Sequence, residues 1–191
     1  MENTTKASVA EPSRLQPKLQ SANVGDLFRE YGTFVWRTLR RLGVRDADVD
    51  DACQEVFMVV HRKLAEFEGR SSIRTWIYGI AVRVAAAERR AAKSRPPPAT
   101  ASAPELIDAR TPYEASVNAE ALTQLDRALD SLDDDKRATF VLYEVEDLTM
   151  SEVAEALSCP LQTAYSRHAA ARAEVERFFR QQGRISQGAS A

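Results

Sequence analysis

Apolar residues recur at steps of three and four along most of the chain, and this spacing places them on one face of a helix. The run Leu122, Leu125, Leu129 and Leu132 is one example. Few segments alternate apolar and polar residues as strands do, and only 7 of the 191 residues are glycine, whereas Ala, Leu, Arg and Glu are common. The sequence therefore predicts an all-α fold.

The predicted helices form two groups, separated by a proline run that cannot continue a helix. The first group covers about 24–42, 46–67 and a helix from Ile73, with Gly43 as a stop and Asp46 or Asp48 as an N-cap. We expect a disordered tail at 1–23, a helical domain at 24–94, a flexible linker at 95–114, a second helical domain at 115–180 and a tail at 181–191. Asp133 to Asp135 are expected to cap a helix in the second domain.

Charge is distributed unevenly, although the net charge is only −2. From Arg62 to Arg95 there are nine basic residues and three acidic ones, and from Glu105 to Asp135 there are nine acidic residues and two basic ones. The first segment suits a phosphate backbone and the second repels one. The pattern favours a protein that binds nucleic acid through one segment over a protein that coats nucleic acid along its length.

Several classes of protein are excluded by missing motifs. The sequence has no phosphate-binding glycine loop, no nucleophile elbow and no carboxylate pair at catalytic spacing, so we expect no enzyme and no cofactor. Cys53 and Cys159 are far apart, as are His61 and His168, which predicts two buried thiols and no metal site. No apolar run approaches the roughly 20 residues of a membrane span, and the N-terminus lacks the apolar core of a signal peptide. A soluble cytoplasmic protein is the expectation.

A helix-turn-helix is predicted near the C-terminus. A short amphipathic helix covers 148–157, Ser158-Cys159-Pro160 forms a turn, and a second helix starts at Leu161. In such a unit the N-terminal part of the second helix enters the major groove, where Arg, Gln and Ser side chains contact base edges. The alternative is an ordinary helical hairpin with a solvated polar face.

Two further segments carry candidate binding residues. Aromatic residues Phe67, Trp76 and Tyr78 accompany the basic segment, a combination typical of single-strand binding, although the helical spacing of Trp76 favours a core position. Acidic residues crowd the start of the second helix, where the helix dipole explains only those in the first turn. Gln54 and Glu55 lie beyond that turn, so we expect a protein partner there.

Three stretches resemble the extracytoplasmic-function (group IV) sigma factors of the sigma-70 superfamily. Asp50-Asp51-Ala52-Cys53-Gln54-Glu55-Val56-Phe57 and the run from Phe67 to Ala81, with Thr75-Trp76-Ile77-Tyr78 at its centre, resemble the sigma2 domain. The segment from Leu148 to Ala154, with Cys159-Pro160 to Ser166-Arg167, resembles the sigma4 helix-turn-helix. The resemblance covers about residues 24 to 180, with the parts in the expected order.

The resemblance implies partners and a role for each set of residues. Core RNA polymerase is implied through its β′ clamp and β flap, together with promoter DNA, and an anti-sigma factor is a further candidate; no membrane insertion is implied. Asp51, Gln54 and Glu55 would bind the clamp, while residues of the first domain capture a flipped base of the −10 element and follow the opened strand: Phe67, Ser71, Ser72, Ile73, Arg83, Arg89 and Arg90. The −35 element would face Gln162, Thr163, Tyr165, Ser166, Arg167, Ala169 and Arg172. Such a protein stabilises melted DNA without bond chemistry.

Departures from the family pattern fall at positions expected to affect base preference. Family members often have Asn at Arg83, an acidic residue at Ala87, Gly-Thr-Val at 162–164, a basic residue at Tyr165 and a large apolar residue at His168. Two rival functions remain open at this point. A dimeric helix-turn-helix regulator would bind duplex DNA without polymerase, and an adaptor resembling a sigma factor would bind protein alone.

Overall fold

A computed structural model describes residues 23–94 and 112–188, and within them the side chains of 23–94 and 121–182. The predicted tails, except Asn23 and part of the C-terminal segment, and most of the predicted linker lie outside the described residues. Seven α-helices occur in the described ranges, and no strand does: α1 Val24–Arg41, α2 Val49–Lys63, α3 Ile73–Lys93, α4 Pro112–Asp130, α5 Asp134–Phe140, α6 Met150–Ala156 and α7 Leu161–Gly188. The all-α prediction is confirmed.

Helices α1 to α3 form an N-terminal unit in which each helix packs against the other two. Asn23 caps α1, and Gly43 follows α1 with a φ of 86°, as expected of a residue that ends a helix. Ser72 caps α3 by accepting a hydrogen bond from Thr75 N at 3.0 Å. The core between the helices is apolar and includes Val35, Leu39, Val49, Val56, Val60, Ile77 and Ile80.

The second helix differs from its prediction in its bounds and in the capping of its start, although Asp48, one of the two predicted caps, is its N-cap residue. Helix α2 starts three residues later than expected, and Asp48 at its N-cap position makes no side-chain capping bond. Instead, the Asp48 carboxylate accepts a hydrogen bond from Arg45 Nε at 2.6 Å, and Asp46 accepts one from Arg40 Nε at 2.7 Å. Nearby guanidinium groups compete successfully for these carboxylates because a charge-assisted bond is stronger than a neutral one. Helix α2 also ends earlier, in a 3-10 turn at Leu64–Glu66.

Helices α4 to α7 form a C-terminal unit. Helix α4 begins at Pro112, inside the predicted linker, and α5 continues into a π-helical turn at Val141–Val145. Asp133 caps α5 as predicted, accepting from Lys136 N at 2.9 Å. Thr149 and Glu152 form a capping box at the start of α6, which fixes the direction in which the helix-turn-helix leaves the preceding loop.

The two units pack against each other, with α3 lying on α6. Tyr78 of α3 is 2% exposed and belongs to an apolar cluster whose other buried members come from the C-terminal unit, among them Leu142 and Val153. At Gly79 the backbones approach so closely that an added Cβ would lie 2.9 Å from the carbonyl oxygen of Ala156. The described residues therefore form one body. None of their helices is long and apolar enough to cross a membrane.

Candidate nucleic-acid and protein interfaces

The exposed face of α7 is the first candidate site. The turn before α7 is closed by Ser158, with a φ of 52°, and by a hydrogen bond from Cys159 N to Ala154 O at 2.9 Å. Ala164 and Ala171 are fully buried, so the opposite side of α7 must face outward. That side carries predicted −35 residues that are all exposed: Gln162, Tyr165, Ser166, Ala169 and Arg172. Thr163 is half-buried at the edge of this face.

Arg167 and His168 lie toward the rest of the C-terminal unit. The Arg167 guanidinium forms an ion pair with Asp135 of α5 and is half-buried. The His168 side chain is 14% exposed, stacks edge-on against Tyr143 with ring centroids 4.6 Å apart, and its Nε2 lies 2.7 Å from Glu144 Oε1. His168 therefore joins α7 to the π-helical turn and does not belong to the outward face, whereas Arg167 borders it.

A groove of about 730 Å³ lies beside the junction of α2 and α3, and its lining includes Phe67, Ser71 and Trp76. The rings of Phe67 and Trp76 have centroids 5.1 Å apart, and Trp76 also packs on the core, as its spacing predicts. Ser72, the cap of α3, is exposed, and Ile73 packs against the core. The groove has an aromatic wall of the kind on which unstacked bases stack, and its far side is formed by Glu155, Ala156 and Ser158 of the C-terminal unit.

The three predicted strand-tracking arginines differ in their surroundings. Arg90 is exposed to solvent. Arg83 donates to Gly79 O at 2.9 Å and to Ser158 Oγ of the other unit at 3.0 Å. The Arg89 side chain is 18% exposed, donates to Leu42 O at 3.3 Å and pairs with Asp134 of the other unit at 2.8 Å. Two of the three are thus engaged across the contact between the units.

The acidic start of α2 borders an apolar groove of about 880 Å³ between α1 and α2. Asp51 and Gln54 are exposed, and Glu55 pairs with Arg62 at 2.9 Å. Exposed apolar side chains line this groove, with Phe28 52% and Met58 46% exposed. Neither residue was predicted as functional, because a single apolar side chain outside the helical face gives no sequence signal. Polar groups around an exposed apolar surface are typical of a protein interface.

A cluster of buried polar groups lies between the units and was missed by the sequence analysis. Glu146 accepts hydrogen bonds from Thr38 Oγ1 at 2.8 Å and from Tyr78 OH at 2.7 Å, and its carboxylate lies 3.5 Å from Arg41 Nη1. Burial, followed by the hydrogen bond to Glu146, raises the pKa of Tyr78 to about 12. Thr38 and Glu146 are 108 positions apart in the sequence, so no local pattern indicates this contact.

Arg137 of α5 is a second buried charge at the contact. Its side chain is 2% exposed, its Nε donates to Leu129 O at 2.8 Å, and its Nη2 pairs with Asp130 at 2.5 Å. Burial lowers the pKa of the guanidinium. Gly43 of the N-terminal unit packs directly on this group, since an added Cβ would lie 1.8 Å from Arg137 Nη1.

The two cysteines differ from each other. Cys53 is buried as predicted, and burial with the nearby charge of Asp50 raises the pKa of its thiol to about 11. Cys159 is only partly buried, because it lies in the turn of the helix-turn-helix, so the prediction of two buried thiols is wrong for it. Among the described residues no group of three His, Cys, Asp or Glu side chains is arranged to hold a metal ion.

Comparison with known proteins matches two family models: Sigma-70 region 2 over residues 27–95 and Sigma-70, region 4 over residues 122–175. The chain is 32% identical over 142 residues to the ECF RNA polymerase sigma-E factor of Escherichia coli (strain K12), covering 70% of this chain and 74% of that one. It is 30% identical over 144 residues to the RNA polymerase sigma-H factor of Pseudomonas aeruginosa, covering 70% and 75%.

Two solved structures share the fold. CnrH in complex with the cytosolic domain of CnrY matches with a TM-score of 0.66 and 20% identity, covering 90% of this chain and 99% of that one. The sigma factor RpoE of Bartonella quintana, in complex with the anti-sigma factor NepR, matches with a TM-score of 0.65 and 16% identity, covering 82% and 96%.

Proposed function

The chain belongs to the extracytoplasmic-function sigma factors of the sigma-70 family and directs RNA polymerase to specific promoters; from that premise we propose which of its surfaces bind DNA and which bind protein. The observation that supports the proposal best is the presence of both an exposed polar face on α7 and an aromatic-walled groove beside Phe67. Sigma factors are non-catalytic regulators, and we propose that this chain has no enzymatic activity and acts in the cytoplasm with the polymerase.

The exposed face of α7 binds the −35 element in the major groove. Arg167 contacts a guanine after exchanging Asp135 for the base, and Gln162, Tyr165 and Ser166 contact neighbouring base edges or phosphates. Loss of a bidentate arginine costs roughly 1–3 kcal/mol of discrimination at one base pair. Arg167→Ala is therefore expected to lower transcription from promoters with the preferred −35 base about 5- to 150-fold.

Arg177→Ala is the matched control, because Arg177 is exposed on the same helix ten residues farther along. Transcription from promoters with each base at every −35 position measures the effect. The proposal is supported if the Arg167 variant loses its base preference at one −35 position and the Arg177 variant does not. Equal loss at every position, or an equal effect of both substitutions, contradicts base contact by Arg167.

The groove beside Phe67 captures an unstacked base of the −10 element, and Arg83, Arg89 and Arg90 follow the opened strand. Ser71 lines the groove, whereas Ser72 and Ile73 fix the start of α3 and so hold the loop in place. Stacking on an aromatic side chain contributes roughly 1–3 kcal/mol per base. Phe67→Ala is expected to reduce open complexes, measured with 2-aminopurine in the −10 element, without weakening polymerase binding. Unchanged 2-aminopurine fluorescence would exclude Phe67 from base capture.

The start of α2 binds the polymerase clamp through Asp51, Gln54 and Glu55, with the apolar groove at Phe28 and Met58 continuing the surface. Gln54→Ala and Met58→Ala are expected to raise the Kd for core polymerase, because partly exposed apolar groups surrounded by polar ones are common at interface centres. Glu68→Ala is the control, since Glu68 is exposed in the same unit and pairs locally with Arg70. Equal Kd values for all three variants would contradict the assignment.

The C-terminal unit also binds the β flap, and an anti-sigma factor binds this chain in its inactive state. The second proposal is supported by the two structural neighbours, one of which is bound to an anti-sigma factor and the other to the cytosolic domain of CnrY. Transcription with core polymerase from the source organism and a genomic promoter library tests the function as a whole. Start sites that require this protein support it. Operator binding without polymerase would instead support the helix-turn-helix regulator.

A further inference from the structure

The carboxylate of Glu146 occupies a site built by the other unit. The Glu146 side chain is 6% exposed, and its hydrogen-bond donors, Thr38 Oγ1 and Tyr78 OH, lie on α1 and α3. The single Thr38 hydroxyl proton is shared with Phe34 O, which is also 2.8 Å away, so Tyr78 is the donor that Glu146 does not share with another acceptor. Thr38 is fully buried and Tyr78 is 2% exposed. The guanidinium of Arg41 balances the charge at 3.5 Å, and Arg74 donates to the backbone oxygen of Glu146. A charge is buried at tolerable cost only where such partners are already in place.

Other polar contacts between the units surround this site. Thr75 Oγ1 donates to Glu152 Oε1 at 3.3 Å, Arg83 donates to Ser158, and Arg89 pairs with Asp134. The loop that carries Glu146 is itself constrained, since Asp147 has a φ of 54°, which is rare for a residue other than glycine. The contact is thus specific in geometry, and it combines these polar bonds with the apolar cluster around Tyr78.

This arrangement does not allow both promoter elements to be bound at once. Positions −10 and −35 are separated by about 85 Å along a duplex with a rise of 3.4 Å per base pair. A compact chain of this length has a radius of gyration of about 16 Å, so two of its surfaces lie within roughly 45 Å of each other. The 17 residues between Ser94 and Pro112 extend to at most about 60 Å, which permits the units to separate widely.

We propose that Glu146 is a latch that holds the two units together in the free protein and leaves its site between α1 and α3 when the polymerase-bound factor engages a promoter. The need to open rests on the proposed function, whereas the closed state of the free chain does not. Opening also releases Arg83 and Arg89 from Ser158 and Asp134, so the latch keeps two strand-tracking arginines occupied until the units separate.

The distance between the units in the full-length chain tests the latch directly. Ala47 and Ala173 are exposed and lie in different units, so spin labels at Ala47→Cys and Ala173→Cys report their separation. Both labels are introduced into a protein that carries Cys159→Ser, because Cys159 is partly exposed and would itself be labelled, whereas Cys53 is buried. We expect one narrow distance for the free protein and a longer one after addition of core polymerase and promoter DNA. A broad distribution in the free protein, or the same narrow distance in the promoter complex, overturns the proposal.

Variants then identify the group responsible. Glu146→Ala removes the carboxylate of the latch. Tyr78→Phe removes only one hydrogen-bond donor to that carboxylate from the opposite unit, so the latch can still be tested with Tyr78→Phe if Glu146→Ala folds poorly. A hydrogen bond to a charged group is worth enough to change the closed-to-open ratio about tenfold to hundredfold. Glu174→Ala is the control, because Glu174 pairs with Lys136 inside the C-terminal unit. Unchanged distances in both latch variants, or an equal change in the control, overturn the assignment to Glu146.

The two proposals fail separately. A free protein that closes through Glu146 but does not support promoter-specific transcription refutes the proposed function and leaves the latch intact. A protein that transcribes from defined promoters but shows independent units when free refutes the latch alone. If both hold, Glu146→Ala is expected to reach half-maximal transcription at a lower concentration of core polymerase than the wild type.

Discussion

Gly43→Ala perturbs both the end of α1 and the packing of Arg137 at the contact between the units. The backbone at Gly43 has a φ of 86°, a region that side chains disfavour, and the new Cβ would lie 1.8 Å from Arg137 Nη1. The end of an arginine side chain is usually flexible. Here the guanidinium is 2% exposed and bonded to Leu129 and Asp130, so it moves only by breaking those bonds.

Gly69→Ala separates the two contributions. Gly69 has a φ of 69° and nothing within 4 Å of an added Cβ, so it carries the backbone penalty without the clash. That penalty is about 1–2 kcal/mol. Displacing Arg137 adds the loss of a hydrogen bond to a charged group, about 1.5–3 kcal/mol. We therefore expect Gly43→Ala to reduce the free energy of unfolding by about 3–5 kcal/mol and Gly69→Ala by about 1–2 kcal/mol.

Urea unfolding followed by far-ultraviolet circular dichroism measures both values. The double variant Gly43→Ala, Arg137→Ala provides a further check, because the Cβ no longer meets the guanidinium. Its loss of stability should be smaller than the sum of the losses of the two single variants. Equal losses for Gly43→Ala and Gly69→Ala, or additive losses in the double variant, would show that Arg137 does not pack on Gly43 as described.

Three further outcomes are expected. Thr149→Ala removes the capping box of α6 and should cost about 1 kcal/mol in urea unfolding, whereas Ser151→Ala, on the exposed side of α6, should change stability little; equal values would exclude the cap. The pKa of Tyr78 in the folded protein is about 12, above its ordinary value of 10, so the contribution of Tyr78 to the closed state is present below pH 10 and is lost as the pH rises through 12. The distance between the spin labels should therefore depend less on alkaline pH in Tyr78→Phe than in the wild type, while Tyr31 titrates in both proteins. Identical pH profiles of the two proteins would argue against this role of Tyr78. Iodoacetamide at pH 8 should modify Cys159 well before Cys53, whose pKa is about 11, and mass spectrometry that finds equal rates would contradict the burial of Cys53.

Features set by neighbouring residues were predictable from the sequence. The helices were predictable from the spacing of apolar residues. The end of α1 at Gly43 was predictable because this glycine follows a periodic apolar run, and the cap at Asp133 because polar residues precede an apolar face. The exposed face of α7 follows from the same periodicity, because buried Ala164 and Ala171 fix the rotation of the helix. Local physics was sufficient in each case.

Contacts between distant segments were not predictable in this way. The cluster of arginines past Ala85 indicates a cationic surface, but the sequence pattern does not show that Asp134 lies against Arg89. The capping pattern likewise does not indicate that the carboxylates of Asp46 and Asp48 bind arginines, because Arg40 and Arg45 are not part of that pattern. Glu146 has no neighbour in the sequence that predicts its burial, because its donors lie on α1 and α3.

The close approach of Gly79 and Ala156 has a consequence for which residues this chain can carry at position 79. A side chain larger than hydrogen at Gly79 is compatible with a separated α3 but not with α6 lying on it. A larger residue at Gly79 of this chain would therefore shift the proposed equilibrium toward separated units. It would leave the exposed face of α7 unchanged, so the availability of the factor would change and its choice of promoters would not.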